Sequence, residues 1–391
     1  MSALAPVGLR PVLGLTWRTR KMELAAWVLG LGASMAGTAA SIHATYDTPE
    51  KIQSYADAVT GGALRVINGH VEGINTLGGV IQDEFGFLAS FLVPLLGIAL
   101  IARGTRREEE SGRLEATLGG RVDRRAPLIG ALATSAVTIG LVVAVFTASL
   151  AAAGISWDRA LLYSVSLGAL ALLFTALAAV VSHLVLHARG VYAATLGVLV
   201  VSYALRGIGD VTDTWITWLS PLGWAEKAAA FGAMRWWTLL IPLGFSVVLV
   251  GAALRLSAHR DLGGALLPAR PGRPEAGGLL RTIPGLALHQ ERGTVLAWLA
   301  GTLVLAGMFG SLAQQLLDAL AGNPDMARAL GAGLTISADG IFWLIAIYDA
   351  VIVTGLAVHL GTAMRAEETG GRLEPLLAGR ASRSRWFASY A

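Results

Sequence analysis

Apolar runs of roughly one helix length recur along the chain, separated by short polar stretches that are alternately rich in arginine and in acidic residues. The runs lie near 23–42, 85–102, 126–150, 160–182, 190–205, 238–256, 294–317 and 341–361. A helix of about 20 residues crosses a hydrocarbon layer of about 30 Å. In lipid, a helix also satisfies its backbone donors and acceptors internally. The pattern therefore predicts an all-α, polytopic membrane helix bundle with about eight spans. The first run is read as a retained helix rather than a cleaved signal peptide, because cleavage would leave seven further spans unexplained.

Orientation follows from the short loops, since Lys and Arg accumulate on the cytoplasmic side. Arg10, Arg18, Arg20 and Lys21 precede the first run, and Arg103, Arg106, Arg107, Arg113, Arg121, Arg124 and Arg125 separate the second from the third. Arg189 marks the loop after the fourth run, and Arg255, Arg260, Arg270 and Arg273 follow the sixth. The other loops carry Asp47, Glu50, Asp57, Glu72, Asp83, Glu84, Asp210 and Asp213 and are assigned outward. One topology with a cytoplasmic N-terminus satisfies them all. The stretch before the first run, with Leu9, Val12, Leu13 and Trp17 among arginines, reads as a basic amphipathic segment along the inner membrane surface. In the outer segment 43–84, Thr48-Pro49-Glu50 predicts a capped helix start, and Gly61, Gly62, Gly78 and Gly79 are expected to break the segment up.

Two charged stretches repeat each other. Residues 106–124 and 365–383 match at 11 of 19 positions with an offset of 259, and each follows an apolar run. Gly14-Leu15, Ala26-Trp27 and Gly30 are echoed by Gly285-Leu286, Ala297-Trp298 and Gly301 at an offset of 271, so the second copy has a shorter outer loop. A repeat on this scale implies a duplicated architecture. The expected organisation is a first six-helix unit over 1–256, a Pro/Gly-rich cytoplasmic linker over 257–284, and an incomplete second unit over 285–391 holding two helices and its own charged loop.

Within each repeat, Glu109 and Arg113, like Glu368 and Arg372, stand four apart with the acid first, the favourable order on a helix. Leu114 with Leu118, and Leu373 with Leu377, share a face. Gly112, Gly371 and Pro375 argue against one unbroken helix. Each span is thus expected to run on to the glutamates, bend at the glycine and restart as a short amphipathic helix. The positive-inside rule explains the arginines but not the repeated order of Glu, Gly, Arg and Leu, which points to an element that docks a partner.

The pattern Arg-x-Glu-Glu-x-x-Gly-Arg-Leu-Glu-x-x-Leu-x-Gly-Arg resembles the cytoplasmic loop of ABC-2-type exporter permeases of the polyketide (tetronasin-type) antibiotic resistance family. Trp218-Leu219-Ser220-Pro221-Leu222-Gly223-Trp224-Ala225-Glu226-Lys227 is similar to a segment these proteins carry between their fifth and sixth helices. The resemblance implies a multi-pass permease of the bacterial cell membrane that exports hydrophobic or amphipathic small molecules such as antibiotics. It implies two six-helix halves and a separate ABC ATPase, in two copies, docked on the charged loops. The coupling residues would be Glu108, Glu109, Gly112, Arg113, Leu114, Glu115 and Arg121, with Glu367, Glu368, Gly371, Arg372, Leu373, Glu374 and Arg380. Pro375 departs from the pattern.

Composition agrees with a membrane chain: 54% of residues are hydrophobic and 14% charged, against about 25% charged in soluble domains. The absence of cysteine excludes disulfides and thiolate metal sites. The net charge of +4 calls for no nucleic-acid partner, because the basic residues sort by side of the membrane. Only Lys21, Lys51 and Lys227 are lysines, and none stands in a Gly-x-x-x-x-Gly-Lys-[Ser/Thr] loop. The chain is therefore not expected to be an enzyme or to bind a cofactor directly, and ATP with Mg is expected in the partner ATPase. His183 and His187 have metal-pair spacing but no third ligand nearby. Asp349 is the one acid deep inside a run, which is the place for a pathway or proton-carrying group or for a hydrogen bond between helices. Trp215, Trp218, Trp224, Trp236 and Trp237 read as an interfacial belt, with Trp218 and Trp224 as candidates for a substrate entrance. Two other classes stay open: an ion-gradient-driven secondary transporter using Asp349, and a non-transporting membrane scaffold or sensor.

Overall fold

The computed structural model describes residues 6–59, 65, 67–267, 275, 277–322, 338–379 and 381–390. They form two compact units, Met1–Ala269 and Arg270–Ala391. The described residues are helical, with no strand among them.

In the first unit the long helices are α1 (Leu9–Thr45), α3 (Leu77–Ala102), α5 (Ala126–Ala152), α6 (Trp157–Leu184), α7 (Ala188–Thr212) and α9 (Leu240–His259). Short helices α2 (Pro49–Val59), α4 (Arg113–Leu118) and α8 (Pro221–Glu226) connect them. Among the described residues, six helices are long and apolar enough to cross a membrane. The central one is α6, which packs against α3, α5, α7 and α9. Lipid tails are as apolar as leucine, so association within the bilayer depends on close packing and small residues. Helix α6 supplies them in Gly168, Ala169, Ala171, Ala176, Ala178 and Ala179. Gly97 of α3 faces it so closely that an added methyl would lie 2.1 Å from Thr175 Oγ1. Leu29, Val137, Leu141, Val200, Val201, Val247 and Val248 remain exposed on the flanks, as lipid-facing positions do.

Several local outcomes differ from the sequence reading. The amphipathic N-terminal stretch is no separate surface helix but the first turns of α1, which runs unbroken for 37 residues because its single proline, Pro11, sits in the first turn where its missing N–H costs nothing. Helix α2 starts at Pro49 as expected, with Thr48 Oγ1 accepting from Lys51 N at 3.4 Å. Gly78 and Gly79 do not break the outer segment. They form the first turn of α3, capped by Thr76, where they pack beside Phe231 and the Gly73 carbonyl. Gly61 and Gly62 lie outside the described residues, as do Pro268, Pro271, Gly272 and Pro274 of the linker stretch.

In the second unit, α10 (Ile283–Gly322) and α11 (Ala338–Thr369) contain the two remaining predicted runs. They are followed by α12 (Glu374–Leu377) and α13 (Arg383–Phe387). A small cluster of Ala287, Leu373, Trp386 and Tyr390 holds the charged repeat against α10. Pro375 is accommodated in the first turn of α12, where its missing N–H costs nothing.

Candidate functional site

The arginine-rich loops of the first unit collect at one end of the bundle. Helix α3 runs through a π-helical stretch at Arg103–Arg107 and a last turn at Glu108–Glu110. It breaks at Ser111-Gly112 and restarts as α4 at Arg113. Gly112 has φ +72°, a left-handed conformation that costs glycine little and other residues more. The second repeat turns in the same way at Gly371, φ +70°.

That turn corrects the expected ion pairs. Because the chain leaves the helix at the glycine, positions four apart no longer share a face. Arg113 reaches back to Glu108, with Nε 2.8 Å from Oε2 and Nη2 2.8 Å from Oε1. Arg372 Nε likewise meets Glu367 Oε1 at 2.9 Å. Both arginines stay mostly exposed, as do Glu115, Arg121 and Glu374. Leu114 lines a cleft of about 540 Å³ whose walls include Thr16, Arg20, Arg107 and Glu108. Leu373 is buried in the second unit's cluster. Arg380 lies outside the described residues.

Glu109 turns inward instead, and its side chain is only 7% exposed. It accepts from Arg106 Nη1 at 3.0 Å, from Arg260 Nη2 at 2.8 Å and from the Gly263 amide at 2.6 Å. Arg106, fully buried, also donates to the carbonyls of Ser182 and Gly264. Leu266 N and Leu267 N donate to the carbonyls of His183 and Leu184. Glu110 Oε1 meets His187 Nδ1 at 3.1 Å and accepts from Ala188 N at 3.0 Å. His187 thus faces a carboxylate while His183 is buried in the bundle, so the two rings serve different neighbours. The end of α3 is a hub that binds the α6–α7 turn and residues 260–267. Glu368, the repeat counterpart of Glu109, is 59% exposed and lies 4.0 Å from Arg383.

A second polar cluster at the opposite end was not anticipated. Arg206, 1% exposed near the end of α7, donates to Glu226 Oε1 at 2.7 Å and to the Ile67 carbonyl at 2.8 Å, and lies over the Tyr203 ring at 4.5 Å. Asp210, one turn on, accepts from Thr217 Oγ1 at 3.1 Å. The sequence reads Asp83 and Asp210 as residues of outward-facing loops, but both are buried within α3 and α7, which extend further than the apolar runs. Tyr55 Oη lies 2.7 Å from Asp83 Oδ2 and 2.8 Å from Glu84 Oε1. The phenol, with one proton to donate, bridges the two carboxyls.

Burial pushes the Glu226 carboxyl from 4.5 up to about 8, with Arg206 opposing and Asp210 adding to the rise. A carboxyl whose folded-state value is raised binds more protons in the folded state than in the unfolded state. Its stabilising contribution is complete below the unfolded value and lost as pH climbs through the folded one. The melting temperature of the detergent-solubilised chain is accordingly expected to fall between about pH 5 and 8. Glu226→Gln should flatten that slope, and an unchanged slope in the variant would remove Glu226 as its source.

The tryptophans lie near this end. Trp218 stacks on Trp237 with centroids 5.8 Å apart, and Trp224 on Phe245 at 5.3 Å. Trp224 Nε1 donates to the Trp218 carbonyl at 2.6 Å. Ser220 caps α8 and donates to the Ser202 carbonyl at 2.6 Å. In the second unit, Asp349 Oδ1 is buried with no hydrogen-bond partner among the described residues.

A sequence profile of the family described as "Multidrug efflux system permease Rv1217c, C-terminal domain" matches residues 9–256 and 280–391. The chain is also 34% identical over 385 residues to the multidrug efflux system permease protein Rv1217c of Mycobacterium tuberculosis (strain ATCC 25618 / H37Rv), an alignment covering 97% of this chain and 70% of that protein.

Proposed function

This chain belongs to the multidrug efflux system permease family, and from that premise we propose that it is the membrane subunit of an ATP-driven exporter of the ABC-2 type, related to the tetronasin-resistance permeases. It is a multi-pass protein of the bacterial cell membrane. Its substrates on this reading are hydrophobic or amphipathic small molecules. Energy comes from a separate ABC ATPase, in two copies, that binds ATP and Mg and docks on the arginine-rich end, which is cytoplasmic.

The observation that carries the reading is the twinned device of helix, glycine turn and restarted helix, which leaves Arg113 and Arg372 on the surface. Each unit offers its own docking residues: the exposed Arg113, Glu115 and Arg121 with the half-buried Glu108 in the first, and the exposed Arg372 and Glu374 with the half-buried Glu367 in the second. Glu109 is an inward latch that passes displacement of α4 to α6, α7 and the segment after α9.

Reversing both arginines, Arg113→Glu with Arg372→Glu, tests this in the chain coexpressed with the Walker-motif ATPase encoded nearest to it. Exposed ion pairs contribute at most about 1 kcal/mol, so the melting temperature should change little. Copurified ATP hydrolysis and drug efflux should fall at least about tenfold, the scale of about 1.4 kcal/mol of lost binding. Unchanged ATPase association and efflux in a folded double variant would sink the proposal.

A second reading, transport driven by an ion gradient through Asp349, has in its favour a buried oxygen of that residue that has no hydrogen-bond partner among the described residues. It requires Asp349→Asn to abolish efflux while the arginine reversals leave efflux intact.

A further inference from the structure

Helices α1 and α5 approach each other closely at two levels. A methyl added at Gly130 would lie 3.0 Å from Val12 Cγ1, and one at Gly32 would lie 2.6 Å from Val145 Cγ1. Between these levels the facing residues include small ones, among them Ala25 and Ala133, and a groove of about 490 Å³ opens on the surface of the bundle. That size falls within the roughly 300–1,000 Å³ of protein ligand sites. Its walls are apolar, with Leu29 of α1 opposite Val137 and Leu141 of α5, all exposed. Trp17 and Lys21 line it partway along α1, between Leu13 and the apolar wall of Leu24, Ala25, Val28 and Leu29.

The charge of the groove has one sign. Among the described residues no carboxylate lines it and Lys21 has no ion pair. Glu23, two positions on, is turned to another face of α1, where Arg20 and Arg103 each hold it at 3.1 Å. Lys21 is therefore a cation without local compensation, placed just before the apolar run that begins near 23. Tryptophan prefers the headgroup level of a bilayer, and a lysine there attracts anionic lipid. A cationic amphiphile would fit the apolar walls but be repelled at Lys21.

The geometry points to a binding site for a single anionic phospholipid, with one acyl chain in the groove between α1 and α5 and its phosphate at Lys21 beside Trp17. The lipid fills the space between the two contact levels and braces α1, whose first turns also form a wall of the cleft beneath α4.

Native mass spectrometry of the full chain in detergent tests this, with phosphatidylglycerol and phosphatidylcholine added at equal concentration. One phosphatidylglycerol should be retained about fivefold over phosphatidylcholine, the preference that one basic residue confers at an anionic headgroup. Lys21→Ser should equalise the two lipids, whereas Lys21→Arg should keep the preference. Ala25→Trp, filling the groove from α1, and Val137→Trp, filling it from α5, should each lose the bound lipid whatever its headgroup. Equal retention of both lipids by the unaltered chain would overturn the proposal. So would undiminished phosphatidylglycerol retention in either tryptophan variant, or displacement of the lipid by a hydrophobic cation such as tetraphenylphosphonium.

Discussion

Replacing Arg206 by alanine is expected to lower the melting temperature of the detergent-solubilised chain by about 10 °C, since losing one partner of a buried ion pair costs about 3–5 kcal/mol and each kcal/mol shifts a unit of this size by a few degrees. The guanidinium is 1% exposed and contributes to three things at once. It neutralises Glu226, satisfies the Ile67 carbonyl and packs on the Tyr203 ring. Alanine leaves Glu226 and Asp210 facing each other without a countercharge. Glu226, pushed up to about 8 by burial, is neutral at low pH and charged above that value, so the loss should be larger at about pH 8.5 than at about pH 5. Arg206→Lys should recover part of the loss, because an ammonium keeps the charge but not the fork that spans two acceptors. The double change Arg206→Met with Glu226→Gln should be milder than Arg206→Ala alone, because it removes both charges together. A double variant as unstable as the single one would show that packing on Tyr203, rather than charge, holds this end of the bundle.

That cluster was also the part least legible in the sequence. The helices could be read from apolar runs, because in a bilayer length and apolarity decide which segments cross. The gathering of basic loops at one end followed from the same runs. Arg206 meets Glu226 and the Ile67 carbonyl across 20 and 139 residues, separations that no local period records. A signal was present: an arginine at the edge of the fifth run with an acid four positions on. The segment 218–227 drew notice for its likeness to a family pattern. Its structural work is a Ser220 cap on α8 that presents Glu226 to Arg206. The charged repeat was legible as a break and restart at Gly112, but not in its pairing. Once the glycine takes φ +72°, Arg113 pairs with Glu108 and Glu109 is released to face the bundle.

Glu109 therefore provides the sharpest contrast between two residues that the repeat makes equivalent. Glu109→Ala removes the acceptor shared by Arg106, Arg260 and the Gly263 amide, leaving one fully buried and one largely buried guanidinium without their carboxylate. A loss of about 3 kcal/mol is expected, the low end for a broken buried pair because both arginines keep carbonyl acceptors at Gly264. The loss should be local before it is global. Residues 260–267 are tied down by Glu109 and by the amides of Leu266 and Leu267 on the carbonyls of His183 and Leu184. Hydrogen exchange at Leu266 and Leu267 should accelerate by about a hundredfold, the factor that corresponds to about 3 kcal/mol of opening free energy. Glu109→Gln should fall between, since an amide oxygen still accepts from Gly263 but brings no charge to the arginines. Glu368→Ala, at an exposed residue 4.0 Å from Arg383, should stay within about 0.5 kcal/mol of the unaltered chain. Equal effects at Glu109 and Glu368 would mean that the latch contributes nothing and that the two copies act alike. Unequal effects would make the first repeat a mechanical link to α6 and the segment after α9, with Glu108 and Arg113 on its outer side and Glu109 within.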